Sequence, residues 1–203
     1  MIGDISGERL RACLHPSPPA LPPGRSDYDL NPAARPAAAP LLQSAAVLLP
    51  IVARAQPTVL FTRRSDDLPR HAGQVSFPGG RAQPGDASLV ATAFREMEEE
   101  TGIGAGFVTV EGFLDVYETG TGYAILPAVG LVREGFALKP CAREVAEIFE
   151  VPLAFLLDPA NRGEETHEWL GKARRFYVFR FESHYIWGAT AAMLVDLAQR
   201  LKA

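Results

Sequence analysis

GGRAQPGDASLVATAFREMEEETGI, residues 79–103, is the stretch from which the fold is read. Its second half has helical spacing. Val90, Ala93, Phe94 and Met97 recur at intervals of three and four, which puts them on one stripe of an α-helix over 87–101. Asp86 or Ser88 can cap its start, and Gly102 stops it. Helical residues advance by about 100° each, so Glu96, Glu99 and Glu100 share an arc of about 100°. Glu98 points elsewhere. The arc lies beside the apolar stripe, so the helix is expected to pack one side on the core and carry three carboxylates along that edge.

Carboxylates at this spacing repel one another, by a few tenths of a kcal/mol per exposed pair and by more where water is excluded. Hard divalent cations offset such repulsion and bind phosphate oxygens at the same time. Taken alone, an EEE run is an ordinary solvated acidic helix face. The loop ahead of it changes the reading. FPGGRAQPGD, residues 77–86, brings three glycines and two prolines next to the acids. Adjacent glycines let backbone come close to a ligand. A glycine-rich loop against an acidic helix suits a metal-bound diphosphate.

Outward from this centre, SAAVLLPIVA (44–53) and PTVLFTRR (57–64) read as two neighbouring strands. Phe107–Val116 and Tyr123–Val132 read as two more. Glu144–Glu150 is a helical turn or a strand leading into VPLAFLL, a short helix. Glu168–Leu170 and Arg174–Phe181 form an expected hairpin around Gly171. Trp187–Leu201 is an amphipathic helix with Met193, Leu194, Leu197 and Leu201 inward, and Trp187 is read as core in preference to a stacking platform for adenine. The order of strands and helices predicts an α/β (α+β) fold. Residues 1–40 differ in composition. HPSPPALPPG and NPAARPAAAP stop both helix and sheet, so this Pro/Ala-rich stretch is expected as an N-terminal arm, extended or partly disordered, with a short helix around Ile5–Cys13. Residues 41–203 are the expected domain.

GGRAQPGDASLVATAFREMEEETGI resembles the Nudix box, G-x5-E-x7-R-E-U-x-E-E-x-G-U with U aliphatic. Arg95, Glu96, Met97, Glu99, Glu100, Gly102 and Ile103 fit its second half. The first half departs from it. Ala87 stands where the spacing back from Arg95 asks for Glu. Asp86 keeps the distance from Gly80, as though one residue were inserted after an Asp that replaces the Glu. LFTRRSDDLPRHAGQVSFPGG, residues 60–80, is similar to the signature of the coenzyme A pyrophosphatase branch. It keeps Leu60, Thr62, Arg64, Ser65, Gly73, Val75, Phe77, Pro78, Gly79 and Gly80, with Pro69 then Arg70 where that branch often has Arg first.

The resemblance implies the Nudix fold, a mixed β-sheet sandwiched between α-helices. It implies divalent-metal hydrolysis of the pyrophosphate bond of coenzyme A and its derivatives, giving 3′,5′-ADP and 4′-phosphopantetheine. Mg2+ or Mn2+ is the implied cofactor, with Glu96, Glu99 and Glu100 as ligands and Arg95 orienting them. Glu99 is the favoured general base, with Glu144 and Glu147 as alternatives. Arg63, Arg64, Arg70 and Arg81, with Gly79 and Gly80, are the expected substrate contacts, because planar guanidinium suits phosphate. His71 is read as stabilising its loop. Two competing readings stand: a Nudix pyrophosphatase acting on ADP-ribose, NADH or a nucleoside triphosphate, and a non-catalytic Nudix-fold binding module.

Composition narrows the partners. A formal charge of −4 gives no basic footprint for nucleic acid. No apolar run approaches the ~20 residues of a membrane helix, and Pro50 breaks the best candidate, Ala45–Ala53. The N-terminus lacks the apolar core of a secretory signal. Cys13 and Cys141 have no metal spacing and read as reduced thiols. The expected setting is cytoplasmic and the expected partner a small-molecule substrate, with a homodimer the one protein assembly allowed for.

Overall fold

The computed structural model describes residues 6–38, 40–69, 71–169 and 172–202. Twelve strands are assigned among them: β1 Arg25–Ser26, β2 Gln43–Val52, β3 Thr58–Arg64, β4 Val75–Ser76, β5 Gly79–Arg81, β6 Val108–Phe113, β7 Tyr117–Glu118, β8 Tyr123–Val132, β9 Val145–Pro152, β10 Arg162–Trp169, β11 Lys172–Phe181 and β12 His184–Trp187. Four α-helices accompany them: α1 Gly7–Cys13, α2 Leu89–Thr101, α3 Leu153–Leu157 and α4 Gly188–Arg200. The larger sheet runs β1-β7-β8-β2-β3-β4, with β5 on β2, β6 on β8 and β9 on β3; β10-β11-β12 form a second, antiparallel sheet.

Alternation along β2 builds both halves of the core. Val47, Leu49 and Ile51 face one cluster, which includes Leu10 and Leu14, the α3 leucines, and Ala191, Met193, Leu194 and Leu197 of α4. Ala46, Leu48 and Val52 face the other, with Ala93 and Met97 of α2. The large sheet therefore lies between α2 on one face and α1, α3 and α4 on the other, the expected sandwich.

The pairing sharpens three expectations. β2 and β3 pair only at Ile51–Val59 and Val52–Thr58. Over its length β2 instead runs parallel to β8, from Gln43–Tyr123 to Val52–Val132. Residues 145–152 resolve as strand, antiparallel to β3. The hairpin is longer than read, because β10 begins at Arg162 and pairs along its whole length with β11.

The proline-rich segment is laid against the domain. β1 pairs in parallel with β7. Asp27 accepts from Tyr117 Oη at 2.8 Å and from the Gly120 amide at 2.7 Å. Asn31 bonds both main-chain groups of Arg175, each at 2.8 Å. Among the described residues no helix is long and apolar enough to cross a membrane.

Candidate active site

The glycine-rich strand β5 pairs with β2 through Gly79–Val47 and Gly80–Ala46 and leads into the loop before α2. Ser88 caps that helix, its Oγ accepting from the Ala91 amide at 3.1 Å. Gly102 ends it in the left-handed conformation at φ 79, its amide bonding Glu98 O. Buried Ala93 and Met97 fix the rotation of the helix. Glu96 and Glu100 are one turn apart and therefore lie side by side under β5.

The approach is close. A Cβ on Gly80 would collide with the Glu96 carboxylate, which explains glycine there. Glu100 is only 2% exposed. The Thr62 hydroxyl stands 3.5 Å from its Oε2. Burial first, and the Glu96 charge second, push the Glu100 carboxyl up to about 8, against the pull of Arg64. Burial also raises Glu96.

Arg95 joins the loop to this pair. Its Nε and one terminal nitrogen donate to Asp86 at 2.9 and 3.1 Å, a two-point clamp. The other terminal nitrogen donates to Glu96 at 2.8 Å and to Glu99 at 3.0 Å. Asp86 also accepts from the Gln83 amide at 2.9 Å and the Thr92 hydroxyl at 2.8 Å. Arg95 above all holds the Asp86 carboxyl far below the usual carboxylate range. Asp86, one step ahead of the box spacing in the sequence, is thus the loop acid that anchors Arg95.

Not every expected residue comes to this place. Thr62 and Arg64 share the Leu60 side of β3, facing α2. Arg63 shares the Phe61 side, on the opposite face. There it lies 3.4 Å from Glu147, which alternates with Phe149 and also meets His184 at 3.1 Å. Arg63 and Glu147 are therefore separated by the sheet from Glu96 and Glu100, and strand alternation places neither beside the acidic pair. Glu144 is on the acidic side, close enough to raise both Glu96 and Glu100. Arg81 is exposed and lends its carbonyl to Arg95 at 3.2 Å. Arg70 lies outside the described residues. His71 Nδ1 lies 2.7 Å from Gln74 Oε1, inside its own loop.

The three helix acids are not equivalent. Glu99 has a side chain 57% exposed and turns to Arg95, whereas that of Glu96 is 12% exposed. Among the described residues, no three acidic, histidine or cysteine side chains converge into a ready metal cage. The donors nevertheless fit a hard divalent ion. Two carboxylates are forced together beside a backbone that only glycine allows, and such ions complete their shells with water and phosphate oxygens. The Arg64 Nε is buried without a hydrogen-bond partner on the same side.

Two contributors escaped sequence reasoning. Thr62 was visible as a kept residue of the 60–80 signature, with no role assigned to it. Trp187, expected in the core, is half-buried and lines a groove with Phe176 and Ser76; its place at a strand–helix junction was the available signal.

Comparison with known proteins places the chain in a family. Residues 42–171 match the model of the NUDIX domain. The chain is 46% identical over 162 residues to the uncharacterized Nudix hydrolase NudL of Yersinia enterocolitica, covering 77% of this chain and 80% of that one. A protein of the same description from Photorhabdus laumondii is 45% identical over 158 residues, covering 78% and 84%. Among solved structures, a MutT/nudix family protein from Enterococcus faecalis superposes with a TM-score of 0.51 at 14% identity, over 84% of this chain and 66% of that one, a likeness of fold alone.

Proposed function

The chain belongs to the Nudix hydrolase family, and from that premise we propose that it cleaves the pyrophosphate bond of coenzyme A and its derivatives, releasing 3′,5′-ADP and 4′-phosphopantetheine. Pyrophosphate hydrolysis is the activity of the family. The observation that carries the site is the pairing of Glu96 and Glu100 under Gly79 and Gly80, with Arg95 clamped by Asp86.

In this reading Glu96 and Glu100 would hold the metal, with Glu99 as a third ligand. A bound Mg2+ or Mn2+ would neutralise charge on the diphosphate oxygens and acidify a water. The chain's own residues do the rest. Water attacks one phosphorus, the bond from that phosphorus to the bridging oxygen breaks, and the electron pair leaves on the other phosphate. Glu99, more open to solvent than Glu96 or Glu100, takes the proton as general base. Arg95 fixes the direction of Glu96 and Glu99. Arg64, on the same side of the sheet, meets a phosphate oxygen.

The coenzyme A assignment rests on the run from Leu60 to Gly80, parts of which line this site while others pack behind it on the opposite face of the sheet. Thr62 reaches Glu100, Phe77 stacks on Phe61 at 5.3 Å, and Gly79 and Gly80 form the strand over the acids. The test is to incubate the protein with coenzyme A, ADP-ribose, NADH and dNTPs, each with Mg2+ or Mn2+, and to chromatograph the products. Release of 3′,5′-ADP from coenzyme A is expected.

A further inference from the structure

β4 ends the path of the large sheet, and a groove wraps round it. Val75 is packed into the core on the face away from α2. Its neighbour Ser76 turns the other way, its Oγ 3.4 Å from Thr62 Oγ1, which in turn lies 3.5 Å from Glu100. Both residues line the same groove. The groove therefore starts two hydrogen-bond lengths from the acidic pair and passes over the sheet edge to the other face. Beyond the edge its walls are the rings of Phe176 and Trp187, 5.3 Å apart, with Ala189 and Thr190 at the start of α4.

The chemistry of these walls selects an occupant. Aromatic and aliphatic surface dominates, and Gln74, Ser76 and Thr190 supply uncharged donors and acceptors. The ionisable members are two acids, Asp27 and Glu168, one arginine, Arg174, and two histidines, His71 and His167, so the wall has no fixed positive excess. Asp27 already accepts from Tyr117 and Gly120. A phosphate-bearing nucleoside would gain little here, whereas a chain in which methyl and methylene groups alternate with amides matches both components.

We propose that this groove seats the uncharged arm of the substrate, a flexible amide chain ending in a thiol or thioester, and that Trp187 determines specificity for it. The inference rests on the coenzyme A reading above and names which part of that substrate goes where. The reacting diphosphate lies at Glu96 and Glu100, the arm crosses β4, and the nucleoside stays outside the groove.

The test compares coenzyme A with the methyl ester of adenosine 3′-phosphate 5′-diphosphate, which keeps the diphosphate and lacks the arm. The readout is the ratio of kcat/KM for the two substrates in wild type, Trp187→Ala and Thr121→Trp. Thr121 is exposed and lines the groove, so a bulky residue there obstructs the groove without disturbing the core. Wild type is expected to favour coenzyme A, and the ratio is expected to fall at least tenfold in the variants. If Trp187→Ala does not fold, Thr121→Trp decides alone. Should wild type release 3′,5′-ADP from both substrates while the ratio stays unchanged in the variants, the groove assignment is overturned and the coenzyme A reading stands. Should wild type release none from coenzyme A, both are overturned.

Discussion

Asp86 clamps Arg95 through two hydrogen bonds, and Arg95 reaches Glu96 and Glu99 with its remaining nitrogen. A loop acid thus sets the direction of two helix acids through one guanidinium. Asp86→Asn removes the charge that anchors this arrangement. Loss of such an outer partner typically costs about 10–100-fold in metal affinity or activity, and that fall in kcat/KM is expected here. Circular dichroism should show the helix intact, because the Ser88 cap is separate.

The loop is one residue longer than the box spacing while the acid is one methylene shorter. Asp86→Glu is therefore expected to lose activity, since the longer side chain no longer fits between Gln83, Thr92 and Arg95. Deleting Ala87 in the same chain should recover part of the loss. Full activity in Asp86→Glu alone would show that the two changes are unrelated.

Glu100 is buried beside a like charge, an arrangement that costs free energy when no cation is present. Glu100→Gln should leave the Tm of the metal-free protein unchanged or higher. The rise in Tm on adding Mg2+ or Mn2+, which follows from ion binding to the folded state alone, should disappear. Scanning fluorimetry with and without metal measures both. A large fall in metal-free Tm together with an intact metal shift would contradict the ligand role.

Glu99→Gln is expected to lower kcat by about 100-fold or more, the scale of general-base catalysis, with little change in KM. Glu147→Gln should stay close to wild type, because Glu147 sits with Arg63 and His184 across the sheet. If Glu144→Gln shows the large loss and Glu99→Gln does not, the base belongs to the loop before β9.

Acid sensitivity of the fold has a separate source. Arg54 above all, with a hydrogen bond from each of two nitrogens at 2.7 Å, holds the Glu150 carboxyl below its usual range. A depressed folded value means the contribution is full above the unfolded carboxylate pKa of about 4.3 and is lost as pH falls through the folded value. Arg54 is partly exposed, so about 1 kcal/mol or less is at stake. Glu150→Gln should lower Tm at pH 7, and the gap to wild type should narrow as pH falls below about 4.3.

What was legible in the sequence is what local pattern controls. The span of α2 follows from its apolar stripe, Ser88 and Gly102, and β8 falls on Tyr123–Val132 as read. What was not legible depends on pairing across distance. The parallel contact of β2 with β8 joins segments far apart in the chain. β10, RGEETHEW, carries almost no apolar alternation and is a strand only because β11 pairs with it. Arg63 and Arg64 look interchangeable in sequence and lie on opposite faces of a sheet. At the site, residue types on the helix were readable. That Glu99 turns out to Arg95 while Glu100 turns in depends on the β5 strand above them.

The most direct measurement is a competition. Coenzyme A and ADP-ribose are mixed at equal concentration with Mg2+, and the products of wild type and Glu100→Gln are resolved over time. The account predicts 3′,5′-ADP and 4′-phosphopantetheine as the first products of wild type and neither from Glu100→Gln. AMP and ribose 5-phosphate from ADP-ribose, with coenzyme A left whole, would contradict it.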